Sequence, residues 1–119
     1  MNTNVETQGF DLTPALKAWV NNELHMTLDR FNDDIRRVEV NMLNAKGPAG
    51  GKGKAAGITV FLKHRSPVRV ATINTDLYAA VAISAMRAEK AVDKTLSKRR
   101  SWHRTKIRMF NAQAVSAPI

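Results

Sequence analysis

Arg87, Lys90, Lys94 and Lys98 follow one another at steps of three and four residues, so on a helix they share one side. Cations about one turn apart suit one kind of chemistry. They neutralise a row of phosphates and release the counterions those phosphates held. The row runs on into Arg99, Arg100, Arg104, Lys106 and Arg108, and only Glu89 and Asp93 oppose it between Arg87 and Arg100. Lysines on a helix face are often merely solvated. A positive row this long favours a polyanion-binding surface. Lys52 and Lys54 add to it from a second place. They sit in the stretch 44–57, NAKGPAGGKGKAAG, which holds five of the six glycines and reads as a flexible loop. Lysines in such a loop either touch the same polyanion or stay solvated.

Other chemistries find little support. His25, His64 and His103 fall on separate predicted elements, with neither a paired carboxylate site nor metal-ligand spacing around them. The nucleotide phosphate loop G-x-x-x-x-G-K-[ST] is absent: Lys46 stands where the first glycine belongs, and Gly53 follows Lys52. There is no cysteine, so thiolate nucleophiles, thiolate metal sites and disulfides are excluded together. The expectation is a protein that is not an enzyme, with no cofactor, no metal and no small-molecule substrate.

The chain has 119 residues and a net charge of +9, enough for one domain with one core. Its charge is one-sided. Residues 1–35 carry a net −4, with Lys17 and Arg30 against six acids, and residues 36–119 carry +13. One-sided charge orients a protein on a polyanion. No apolar run approaches the length of a membrane span, and the first residues, MNTNVETQGFD, lack the pattern of a secretory signal. A cytoplasmic protein is expected. Binding to a membrane surface is disfavoured, because the apolar face of the basic helix is needed by a sheet.

The elements that position the cations can be read in order. Residues 2–8 suggest a short strand around Val5. Thr13 and Pro14 suit the cap and first position of a helix over about 14–31, with Leu16, Val20, Leu24, Leu28 and Phe31 on one face and Glu23 a blemish within it. From Ile35 the period changes to two: Val38, Val40 and Met42 alternate with Arg37, Glu39 and Asn41. A strand with Ile58, Val60 and Leu62 inward follows the glycine-rich loop. His64 to Pro67 reads as a tight turn, and Val68 to Asn74 as a third strand of an antiparallel set. The basic helix spans Thr75 to Arg100. Thr75 or Asp76 can cap it, and Tyr78, Val81, Ala82, Ala85, Ala88, Val92 and Leu96 form its apolar stripe. Tyr78 is therefore expected in the core. Phe61 points to the other sheet face, where it can stack on a base or cover that face. The predicted fold is an α+β two-layer sandwich, β-α-β-β-β-α, with both helices on one face of a four-stranded sheet. Residues 1–100 form the domain, and 101–119 a basic, flexible tail. The alternative is an ordered extension in which Trp102, Met109 and Phe110 pack on the domain or a partner.

That order of elements carries two motifs, Leu12-Thr13-Pro14-Ala15-Leu16 and Asp76-Leu77-Tyr78-Ala79-Ala80-Val81. With them the chain resembles the ribosome hibernation-promoting factors, a family that includes the ribosome-associated translation inhibitors and was once described as sigma-54 modulation proteins. Its members open their last helix with D-[ML]-Y-A-A-I-D and then carry basic residues where this chain has Arg87, Lys90, Lys94 and Lys98. The resemblance covers residues 1 to about 100 and is to the short form. It implies a domain similar to double-stranded-RNA-binding domains that docks on the small ribosomal subunit and its 16S-type rRNA. There it would block the tRNA and mRNA sites and inhibit translation in stationary phase or under stress. It implies no catalysis and no cofactor. Arg87, Lys90, Lys94, Lys98, Arg99, Arg100, Lys52 and Lys54 are the expected rRNA-binding residues, in a protein monomeric off the ribosome. The chain departs from the family at Ala82, where Asp is frequent, and at Ala88, where a larger apolar residue is frequent. Its glycine-rich loop is longer, its tail is basic, and the separate carboxy-terminal domain of long members is not expected. The alternative function is a general RNA- or DNA-binding protein of the same fold that does not act on ribosomes.

Overall fold

A computed structural model describes residues 1–46 and 51–116, with side chains as far as Ser97. Strand β1 (Asn2–Gln8) leads to helix α1 (Pro14–Leu28) and a 3-10 segment (Asp29–Asp34). Strands β2 (Ile35–Lys46), β3 (Lys52–Leu62) and β4 (Val68–Asn74) follow, and helix α2 runs from Leu77 to Ser116. The sheet order is β1-β2-β3-β4. Strands β2, β3 and β4 pair antiparallel, while β1 pairs parallel with β2, Val5 opposite Val40. The sheet is therefore mixed. Helix α1 is the crossover that a parallel pair requires.

Thr13 caps α1: its Oγ1 accepts the Leu16 N–H at 3.1 Å, and Pro14 follows at the first helical position. Helix α1 ends at Leu28, earlier than predicted, because the Asp- and Asn-rich run 29–34 tightens into 3-10 geometry. Leu16, Val20, Leu24 and Leu28 are buried, and Glu23 is only half-buried at the edge of that stripe.

Both helices lie on the sheet face made by Val38, Val40, Met42, Ile58, Val60 and Leu62, all buried; Val68 and Val70 are partly buried at the rim. The buried stripe of α2 is Ala80, Val81, Ser84, Ala85, Ala88, Val92 and Leu96. Small residues dominate it, so the helix can lie close to the strands. Ser84 is fully buried, and its Oγ donates to the Ala56 carbonyl at 2.9 Å, which satisfies both groups.

Two further expectations need correction. Tyr78 is not in the core: it is 49% exposed and meets Trp19 of α1 edge-to-face, ring centroids 4.8 Å apart. It shares its helix angle with buried Leu96, five turns on, so it is its place in the first turn, against Trp19, that leaves it outside the core. Most of the 44–57 stretch is strand rather than loop, since β2 and β3 pair up to Lys46 opposite Lys52; residues 47–50 lie outside the described residues. The ladder reaches this far because Ala56 is buried under α2 and Ala55 and Gly57 are half-buried, which makes those small residues part of the domain. Helix α2 continues along the backbone to Ser116. Neither Gly nor Pro interrupts residues 77–116, and the next proline is Pro118.

Candidate nucleic-acid interface

Helix α2 is fixed at its start before any cation is reached. The Asp76 N–H donates to Asn74 Oδ1 at 3.0 Å, and Asp76 Oδ1 in turn accepts the Tyr78 N–H at 3.0 Å. The Ala80 N–H closes the first turn onto the Asp76 carbonyl at 2.9 Å. Asp76 is thus the cap that the sequence offered as one of two choices. The Trp19–Tyr78 contact fixes the helix on its α1 side.

The opposite side of α2 faces the edge strand β4. Arg87 reaches it: Nη1 donates to the Ala71 carbonyl at 3.0 Å and to Thr72 Oγ1 at 3.2 Å. This cation is therefore partly committed to the fold, where it covers an open carbonyl of the sheet edge. Lys90 and Lys94 follow at about 4.5 and 6 Å of rise. Both are exposed, and among the described residues neither is within ion-pair distance of a carboxylate. The two ion pairs that form among these residues, His25 with Asp29 and Arg37 with Glu39, lie elsewhere. Glu89 stands eleven residues, or three turns, after Tyr78, and so falls on the α1 side of α2. Asp93 accepts from Ser97 Oγ at 3.5 Å. Helix geometry thus sorts the charges: acids turn towards α1, and the cations turn towards β4 and solvent. Lys98, Arg99 and Arg100 continue on the helical backbone, but their side chains lie outside the described residues.

Lys52 and Lys54 are set apart from this row, at the β2–β3 hairpin. Lys54 hydrogen-bonds Asn44 Oδ1 and lies 4.6 Å from the Phe10 ring centroid. Asn44 Nδ2 donates to the Gly9 carbonyl at 3.2 Å, so the hairpin is tied to the β1–α1 connection. Gly9 is required there: its φ is +87°, and a Cβ would stand 2.7 Å from Asn44 Nδ2. Lys52 is exposed and paired in register with Lys46, like charge opposite like charge. A half-open cleft of about 410 Å³ lies between the hairpin and the start of α2, lined by Asn44, Ala45, Lys52, Gly53, Lys54 and Thr75. Residue spacing did not reveal the Lys46–Lys52 juxtaposition, which depends on the strand register.

Phe61 is not open to a base. The Arg37 guanidinium carbon sits 3.9 Å from its ring centroid, and Arg37 is itself paired with Glu39 at 3.3 Å. Phe61 and Arg37 are cross-strand partners, so the contact follows from the register. Among the described residues no group of three or more His, Asp or Glu side chains could hold a metal, and no helix is long and apolar enough to cross a membrane.

The arrangement is a capped, sheet-packed helix that shows, on the side of one sheet edge, Lys90 and Lys94 without an ion-pair partner among the described residues. Residues 3–100 match the family described as Sigma 54 modulation protein / S30EA ribosomal protein. The chain belongs to that family. The match spans the two motifs that carried the resemblance and all of the sheet but Asn2. The family fold is seen in the N-terminal domain of Protein Y from Thermus thermophilus, 28% identical, with a TM-score of 0.68 over 80% of this chain and 99% of that one. A ribosomal subunit interface protein from Coxiella burnetii has the same fold, with 22% identity and a TM-score of 0.70 over 82% of this chain and 99% of that one. No protein of curated function matches the chain.

Proposed function

We propose that this protein is a ribosome-binding translation inhibitor and hibernation factor of the cytoplasm. It docks on the small subunit through the basic side of α2 and blocks the tRNA and mRNA sites. The observation that carries this reading is the exposed pair Lys90 and Lys94. They are unneutralised by any described carboxylate and are held on a helix whose other faces are occupied by the sheet and by α1. The helix backbone that carries them is already ordered, so binding costs only the freedom of the lysine side chains themselves. A-form RNA shows proteins mainly its shape and backbone, and this surface offers charge without a base-reading pocket. Membership of a ribosomal protein family makes rRNA the fitting polyanion. Lys52 and Lys54 serve as a second contact at the hairpin. The domain acts as a binding module, with rRNA and the small subunit as its partners.

Sedimentation of stationary-phase lysate through sucrose gradients at low and high salt tests the proposal. Migration with small subunits or whole ribosomes, lost at high salt, is expected. Retention at the top of the gradient at both salts would refute it and leave a general RNA- or DNA-binding protein of the same fold.

A further inference from the structure

Helix α2 is far longer than the domain needs. Its 40 residues give a rod of about 60 Å, and the longest dimension of the molecule is 68 Å. The last buried residue described on it is Leu96. Residues 98–116 continue the backbone helix for about 28 Å more. This overhang holds Lys98, Arg99, Arg100, Arg104, Lys106 and Arg108, together with His103 and not one Asp or Glu.

Two features of that composition point to a partner. Arg100, Arg104 and Arg108 stand at four-residue steps, so successive turns of the helix repel one another with no carboxylate to relieve them. Most helical stability in proteins comes from what a helix packs on, and this stretch is charged against itself. An anionic partner removes that conflict. The charge density then identifies its chemistry. Six cations occupy 11 residues, about 16 Å of axis, or one per roughly 2.7 Å. Double-stranded nucleic acid carries a phosphate every 1.7 Å or so of its axis, dense enough to offer one to each of these cations. The overhang also prolongs the line of Lys90 and Lys94 on the same rod.

We infer that the α2 overhang, residues 98–116, is a helical arm that grips the phosphate backbone of duplex RNA outside the footprint of the α+β domain. The choice of RNA over DNA rests on the ribosomal reading above; the phosphate chemistry does not. The domain provides one contact and the arm a second, on one continuous helix. Such an arm lengthens the footprint of the domain along one helix.

The test uses the full chain in three forms: wild type, a variant with Arg99, Arg100, Arg104, Lys106 and Arg108 each changed to Gln, and Thr105→Pro. Glutamine keeps the helix propensity and removes only charge. Thr105→Pro keeps every charge but deletes an N–H and clashes with the carbonyl of Ser101. Thermal unfolding of all three forms checks that each is folded before binding is compared. Binding is measured against salt with a short RNA duplex and, separately, with purified small subunits. On the duplex, the five glutamines should flatten the slope of log K against log salt by about 3.5–4.5. Thr105→Pro should bind more weakly than wild type, and amides of 98–116 in the wild type should gain protection from hydrogen exchange on binding. A slope change below about one unit on the duplex would overturn the inference. Thr105→Pro binding as tightly as wild type would overturn the helical arm in favour of a merely charged tail. Failure of the wild type on subunits, with the duplex results intact, would count against the ribosomal reading and leave the arm standing.

Discussion

Replacing Lys90 and Lys94 together by glutamine should move stability and RNA binding in opposite directions. Both side chains are exposed and free of any described carboxylate. Lys98 follows them on α2, so two like-charge pairs at i,i+4 run along the helix, each costing about 0.2–0.5 kcal/mol. Glutamine matches lysine in helix propensity, so the variant should gain roughly 0.4–1 kcal/mol in dilute salt. Binding, by contrast, loses two phosphate contacts. Each contributes about 0.7–0.9 to the slope of log K against log salt. Relative to 1 M salt, where that contribution vanishes, two contacts amount to about 1.4–1.8 log units at 0.1 M, or some 25- to 60-fold in affinity. Filter binding to purified small subunits across a salt series gives both the affinity and the slope, and thermal unfolding gives the stability. A variant at least as stable as wild type, with weaker binding and a flatter slope, is expected. An unchanged slope in that stable variant would refute the reasoning. Lost stability would show that the lysines have structural partners.

Other perturbations act on the scaffold. Ser84→Ala removes the buried hydrogen bond to Ala56; against a small gain in helix propensity, a net loss of about 0.5–1 kcal/mol is expected, read as a Tm several degrees lower. Gly9→Ala meets both a φ of +87° and Asn44 Nδ2 at 2.7 Å, so urea unfolding should show a loss of about 1–3 kcal/mol. Asp76→Ala strips the cap from α2 and should cost about 0.5–2 kcal/mol, whereas Asp76→Asn, which can still accept the Tyr78 N–H, should cost much less. Equal losses for the two Asp76 variants would contradict the capping role.

What could be read from the sequence was largely what is decided locally. Thr13-Pro14 and Asp76 mark helix starts because a cap acts within one turn, and both are seen to act there. The switch from a 3.6 to a 2.0 period at Ile35 located the inner face of the sheet through Val38, Val40 and Met42, all fully buried. Registers and helix ends were harder. The parallel pairing of β1 with β2 depends on contacts some 35 residues apart, and a polar strand such as NTNVETQ signals neither partner nor direction. Glycines in 44–57 suggested a loop, but strand pairing and burial of Ala56 beneath Ser84 override that propensity. Tyr78 sat at the right spacing for the core and still lies outside it, because the contact with Trp19 rewards an aromatic at the seam between helices. The basic residues of α2 were legible as a row. That Arg87 is tied to β4 while Lys90 and Lys94 stay unpaired was not, since it depends on which side of the helix meets the sheet edge.

The most direct test of docking through the basic side of α2 is a crosslink made at that surface. A photoactivatable residue replaces Lys94 in the full chain, the protein is bound to purified small subunits and irradiated, and primer extension maps the attached RNA. The expected result is a crosslink to small-subunit rRNA beside the tRNA and mRNA path, weakened as salt rises. A crosslink confined to ribosomal protein, or to rRNA remote from that path, would contradict docking through this face.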